Sequence, residues 1–261
     1  MNSRLPITIV VCAAATWSVA AFADNPDPRQ ACGATTTLGT LIAQFIDGTF
    51  KGQNTADRTI ISTAIDIRKA SFERYDRKSG RIDCKGTLIL RAPGYAGYEK
   101  QTGQIEFSRV PKAGGFAVSM TPSGDMKLKL TAWIALVVPP SIPGDTKSRI
   151  RWQPVSHRPV KVGDCTVTKV AWKGTRLNID GEDVEGSGSA VKFADGIYQV
   201  SYETVNEVDA SQVGDPVRIC LALLPSDCPK GDNRGKQYGV ADLRTGKRWY
   251  LPDSEHMCGG A

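Results

Sequence analysis

The sequence predicts a β-rich α+β protein: one N-terminal helix on an antiparallel sheet, followed by a small disulfide-stapled antiparallel sheet or barrel. Three observations lead there. Apolar residues keep the helical spacing of three and four between Ala34 and Phe50, most later segments alternate with a period of two, and an even set of cysteines follows a removable leader.

The leader comes first. Arg4 is the only charge before Asp24, an apolar run extends from Ile7 to Val19, and Ala21-Phe22-Ala23 forms a small-x-small site, so residues 1–23 read as a signal peptide cut near Ala23. Cleavage removes Cys12 and leaves Cys32, Cys84, Cys165, Cys220, Cys228 and Cys258. Such a set, delivered to an oxidising space, reads as disulfides and places the protein in the periplasm or outside the cell. The leader's apolar run is shorter than the roughly 18 to 20 residues a bilayer span needs, so no membrane span is expected in the mature form.

Residues 24–138 are expected to be one α+β domain. Leu38, Leu41, Ile42, Phe45, Ile46 and Phe50 share a helix face, with Thr35 to Thr37 able to cap its start and Gly48 near its end. The period then changes to two: Ile61, Thr63, Ile65 and Ile67 alternate with polar neighbours, as do Ile82, Cys84, Gly86, Leu88 and Leu90. Tyr75 to Gly80 is the expected turn between these strands. Further strands are expected around Ile105-Phe107, Phe116-Val118-Met120 and Met126-Leu128-Leu130. A last one, Thr131 to Val138, loses its alternation and is expected to be covered on both faces.

Pro139 to Gly144 carries three prolines and breaks any regular element, so the domain boundary is placed there, with residues 139–163 as a proline-rich and basic linker segment. Residues 164–261 form the second, β-rich domain. Its clearest element is a hairpin from Ser189 to Tyr202. A type I′ turn at Asp195-Gly196 would pair Phe193 with Tyr198, Val191 with Val200 and Ser189 with Tyr202 on one face. Val217 to Leu223 is another strand, and Ala241-Leu243 and Trp249-Leu251 flank a turn at Thr245-Gly246. Gly186-Ser187-Gly188-Ser189 reads as low-complexity chain.

With that boundary, Cys32 and Cys84 are alone in the first domain and pair with each other. For the rest, Cys165 with Cys220 and Cys228 with Cys258 are favoured, the last pinning the C-terminal tail by roughly 3 to 4 kcal/mol of loop-closure entropy. No C-x-x-C occurs, so a thioredoxin-like site is excluded, and His256-x-Cys258 lacks further donors for a metal. Neither a metal nor a cofactor is expected.

The chain carries no recognisable catalytic frame. Only His157 and His256 can serve as imidazole bases, and Asp253-Ser254-x-His256 gathers triad residue types along the chain, whereas a triad is assembled in space. Gly231 to Gln237 has three residues between its glycines where a phosphate loop needs four. Asn178 to Glu185 gathers four acids, but at the wrong spacing for an EF-hand. The strongest functional candidate is the acid-free run Thr146 to Gly163, with Arg149, Arg151, Trp152, His157, Arg158 and Lys161 as binding residues. Arginines beside a tryptophan suit anionic, planar or glycan ligands. A solubilising edge explains the same charges and weighs slightly more. Net charge is +6, and losing Arg4 with the leader makes it +5, a balance that favours anionic envelope partners over nucleic acid.

Gly214-Asp215-Pro216-Val217-Arg218-Ile219-Cys220, Cys228-Pro229-Lys230-Gly231-Asp232-Asn233-Arg234-Gly235, Leu243-Arg244-Thr245 and His256-Met257-Cys258-Gly259-Gly260-Ala261 together resemble the end of uncharacterised exported proteins of proteobacteria. The resemblance implies a Gram-negative source and assigns no activity and no functional residue. The expectation is a non-catalytic periplasmic protein that binds an anionic envelope component or another periplasmic protein. The alternatives are a hydrolase acting on envelope polymers and an inhibitor of a cell-wall hydrolase.

Overall fold

The computed structural model describes residues 27–49, 61–137 and 157–260. The chain divides into two compact units. One comprises residues up to Ile89 together with Gly103–Ser123, and the other Leu90–Thr102 together with Gly124–Ala261. The expected boundary at 139–144 lies outside the described residues.

In the first unit, α1 (Pro28–Ala31) opens on Asp27, whose carboxylate accepts the Arg29 N–H at 3.0 Å. α2 (Thr35–Thr49) turns Thr37, Leu41 and Ile46 inward and packs against two strands named below, β1 and β5. Residues 61–64 make a helical turn, burying Ile61 and Ala64, so the strand expected from Ile61 begins only at Ile65. β1 (Ile65–Asp76) and β2 (Arg81–Leu90) flank a turn at 77–80. β3 (Tyr95–Ala96) belongs to the second unit; β4 (Gln101–Lys112) and β5 (Gly115–Pro122) pair antiparallel from Ile105 opposite Pro122 to Lys112 opposite Gly115. The sheet order is β1-β2-β4-β5. In β2 the period-two reading holds: Ile82, Cys84, Gly86, Leu88 and Leu90 are buried. Cys32 is bonded to Cys84, tying the segment before α2 to this sheet.

The second unit begins with a correction. The strands expected at Met126-Leu128-Leu130 and Thr131–Val138 are absent among the described residues: Gly124–Val137 is a helix, α3. Its buried residues, Met126, Leu130, Trp133 and Leu136, recur at spacings of four, three and three, while Leu128 stays 57% exposed. Lys127 and Lys129 happened to interleave with apolar residues, and that short alternation masked the longer helical period.

The remaining strands are β6 (Cys165–Thr175), β7 (Asn178–Ile179), β8 (Glu182–Asp183), β9 (Ser189–Phe193), β10 (Tyr198–Val200), β11 (Pro216–Leu223), β12 (Gln237–Asp242) and β13 (Arg248–Pro252), with a short helix α4 (Asn206–Asp209). β7 and β8 form their own hairpin; the others make a seven-stranded open sheet in the order β10-β9-β6-β11-β12-β13-β3, not a closed barrel. Only its β13–β3 edge is parallel.

Both faces of the sheet are covered. On one, Val191, Phe193, Val217, Ile219, Leu221, Tyr238, Val240, Trp249 and Leu251 gather with Val205 and Val208. On the other, Cys220, Ala222 and Tyr250 lie under Ala132 and Leu136 of α3 and Tyr95 of β3. This explains why β11 is buried from Val217 through Ala222. Gly239 makes room for the helix, since a Cβ there would stand 2.1 Å from Leu136 Cδ2. The last turn of α3 is met by donors: Arg218 Nη2 reaches the Ala135 carbonyl at 2.8 Å and the Tyr95 hydroxyl reaches the Leu136 carbonyl at 3.0 Å. A guanidinium at a helix C-terminus also complements the helix dipole.

Two one-residue slips shape the outer part of this sheet. In the 189–202 hairpin the pairs are Lys192 with Tyr198, Val191 with Gln199 and Ala190 with Val200, one residue away from the expected register. A type I′ turn needs positive φ at both central residues, but only Gly196 has it, at 83°. Asp195 instead accepts the Ile197 N–H on its carboxylate at 3.1 Å, and Phe193 closes the loop by bonding both Gly196 and Ile197. The result is a three-residue loop with a glycine bulge, and a slip of one residue exchanges the faces of everything beyond it. Gln199 therefore points inward and Tyr198 outward. The second slip is in β6, where the register with β9 shifts between Val170 opposite Phe193 and Trp172 opposite Lys192.

Gln199 is fully buried and fully used. Its Nε2 donates to the Tyr238 carbonyl at 2.9 Å and the Leu251 carbonyl at 2.8 Å, and its Oε1 accepts the Trp249 indole N–H at 3.0 Å. Through this side chain β10 is joined to β12 and β13, four and five places away in the strand order.

Cys165 is bonded to Cys220 directly across β6 and β11, and Cys228 to Cys258 near the end of the chain. With Cys32–Cys84 these are the pairs favoured from sequence, and three such bonds belong to an oxidising compartment. Among the described residues no helix is long and apolar enough to cross a membrane.

Candidate functional site

Of the six basic-run residues singled out by sequence, Arg149, Arg151 and Trp152 lie outside the described residues. His157, Arg158 and Lys161 are exposed in the second unit. Lys161 opens a tight turn, its N–H bonded to the Asp164 carboxylate at 3.1 Å, that leads into β6. Burial raises the Tyr238 hydroxyl above its ordinary pKa, and Arg158 beside it works against that rise.

The polar motifs near the C-terminus are consumed by local structure. The Ser254 hydroxyl donates to the His256 carbonyl at 2.8 Å, and Asp253 accepts the Gly235 N–H at 2.9 Å, so neither is engaged with the imidazole. Asp232 accepts from both nitrogens of the Arg234 fork and from the Gly259 N–H, which holds its carboxyl well below the usual range, the Arg234 bonds contributing most. These groups line an open concavity of about 610 Å³ beside the Cys228–Cys258 bond. A second, of about 480 Å³, lies on the polar face of the first sheet, where Arg74 and Arg81 share Asp83 and Lys85 pairs with Glu73 at 2.9 Å. In both, charged groups are already partnered within the chain.

One pair of buried acids is also structural. Arg244 grips Asp215 through Nε at 2.5 Å and Nη2 at 2.8 Å, while Asp242 Oδ1 accepts the backbone N–H groups of Arg244 and Thr245. The Arg244 hydrogen bond is the main cause that lowers the Asp215 pKa, against the opposing effect of burial. A carboxylate with a depressed folded-state pKa adds stability above its unfolded value, about 3.9, and that stability is lost as pH falls through the folded value. The melting temperature should therefore drop as pH is lowered below about 4, and Asp215→Asn should flatten that part of the profile. An unchanged acid limb in the variant would assign the effect elsewhere.

The acidic run at 178–185 forms the β7–β8 hairpin, with Asp180 and Gly181 at positive φ in its turn. Among the described residues no group of three or more His, Cys, Asp or Glu side chains is placed to hold a metal.

What the structure does assemble is a surface that sequence reasoning missed. Trp172, Lys192 and Tyr198 stand directly opposite one another on β6, β9 and β10 and share one face. The neighbours Val191 and Phe193 enter the core, so this row faces out; Trp172 is 40% exposed. Beside it Arg176 lies over the Tyr202 ring, 4.4 Å from its centroid, and pairs with Glu255 at 3.3 Å. Tyr202 is itself 53% exposed. Simple alternation from Val170 would have sent Trp172 into the core, and the type I′ register would have sent Tyr198 there. Each faces out because of a bulge, and bulges re-aim side chains at sheet margins and functional sites.

No family model, curated protein or solved structure matches this chain.

Proposed function

We propose that the mature protein, cut from its leader near Ala23, is a non-catalytic binding protein of the bacterial envelope that works in the periplasm. It engages its partner through the outer row Trp172, Lys192 and Tyr198. The observation that carries this reading is the pair of independent bulges, which turn Trp172 to solvent and bring the half-buried Tyr198 onto the same face. Exposed aromatics flanked by charge are the composition of binding surfaces rather than of inert ones. Three disulfides suit the compartment, and the net positive charge, with His157, Arg158 and Lys161 exposed in the same unit, favours partners that carry negative charge elsewhere on their surface.

Sedimentation of the purified mature protein with isolated envelope fractions tests the reading. Wild type should pellet with one fraction, and a variant with Trp172, Lys192 and Tyr198 all changed to alanine should stay in the supernatant. A wild type that pellets with none, or that turns over peptidoglycan or model esters, would overturn it.

A further inference from the structure

Resting on the envelope-binding reading, the geometry points to the ligand class: we propose that Trp172 is a stacking platform for a pyranose ring of an uncharged, β-linked glycan. The indole lies down on the sheet. A Cβ built on Gly174 would stand 2.6 Å from Trp172 Cζ2 and 3.0 Å from Cη2, so the six-membered ring passes over the glycine two residues further along β6. A ring laid over backbone in this way covers one π face and leaves the other open, in keeping with its 40% exposure.

The rim of that ring has both hydrogen-bonding polarities. The same point above Gly174 is 3.1 Å from the Asp183 Oδ1 carboxylate oxygen, brought there by the β7–β8 hairpin, and Lys192 stands opposite Trp172 on β9. Pyranoses with equatorial substituents present a flat face of C–H bonds for an aromatic ring and a rim of hydroxyls that both donate and accept. Asp183 is the acceptor such a rim needs and Lys192 the donor. Tyr198, one strand beyond Lys192, continues the row about 10 Å from Trp172, a span that a short oligosaccharide covers. Asp183 beside the ring, on a hairpin that also carries Asp180 and Glu182, disfavours polyanions such as nucleic acid.

Two sources share this chemistry, β-linked glucose and β-linked N-acetylglucosamine, and calorimetric titration of the full mature protein with an oligomer of each separates them. One should bind, Trp172→Ala should weaken it about tenfold or more, and Trp172→Phe should stay within about threefold of wild type. Gly174→Val, which displaces the ring, should weaken it as well, while Tyr75→Ala, an exposed aromatic of the first unit, should not. Trp133 and Trp249 are buried, so in a Trp152→Phe background, which removes the one other tryptophan of the mature chain, the fluorescence change on binding should be reduced by Trp172→Phe although that variant still binds. Failure of both oligomers to bind folded wild type, or equal binding by Trp172→Ala, would overturn the assignment. If neither oligomer binds yet the protein still sediments with envelope, the glycan class alone is wrong; if sedimentation fails too, the envelope reading falls with it.

Discussion

Replacing Gln199 by leucine should cost about 2–4 kcal/mol of stability, read as a lower urea midpoint followed through tryptophan fluorescence. The side chain is completely enclosed, and all three of its hydrogen bonds run to strands remote in the sheet order. Tyr238 and Leu251 pair with each other across β12 and β13, so their carbonyls lose only a supplementary donor. The Trp249 indole N–H loses the Gln199 Oε1 acceptor in the interior, and an unsatisfied buried donor carries most of the penalty. Gln199→Glu sharpens the test, because a carboxylate would face two carbonyl oxygens. It should be at least as damaging at neutral pH and recover in part in acid, since burial raises the pKa of a new glutamate and protonation restores one donor. A leucine variant as stable as wild type would show that the curl of this sheet is held by its apolar contacts alone.

Gly188→Ala should be comparably severe, about 3 kcal/mol or more. Gly188 sits at φ 106°, and a Cβ there would stand 2.0 Å from the Ser201 carbonyl oxygen and 2.7 Å from the Tyr202 carbonyl carbon. Those are backbone atoms in the strand pairing, where Ser201 N–H bonds the Ser189 carbonyl at 2.8 Å, so they cannot step aside like the end of a side chain. Gly186→Ala is the control. It has φ 74° with nothing within 4 Å, so it should show only the cost of the left-handed backbone, about 1 kcal/mol. Thermal melts of the two variants separate steric clash from conformational strain.

Gly188 also illustrates how composition misleads. Gly186 to Ser189 reads as a flexible low-complexity stretch, yet one of its glycines is there because another backbone crosses it closely. Elsewhere the sequence was informative where physics is local or combinatorial. The alternation in β2 and β11 marks strands directly, and six cysteines divided between two regions leave few pairings to weigh. It was uninformative where a single inserted residue decides a face. Neither the bulge near Ala171 nor the loop at Asp195 leaves a periodic trace, so the outer row with Trp172 and Tyr198 was invisible, and the expected register placed Tyr198 and Val200, not Gln199, on the face of Val191. One cue was present: an aromatic residue two places before a glycine within a strand is a pairing in which the ring can cover the missing side chain. In α3 the error ran the other way, as two lysines placed between apolar residues imitated a strand.

The parallel pairing of Tyr95 with Arg248 and Ala96 with Trp249 joins residues about 150 positions apart in the sequence. This sheet margin closes only when two segments far apart along the chain come together. Folding of the second unit therefore carries a high loop-closure cost and is slow by the measure of sequence separation. A C-terminal fragment beginning at residue 157 would lack both β3 and α3, leaving the Cys220 and Tyr250 face of its sheet uncovered and prone to self-association.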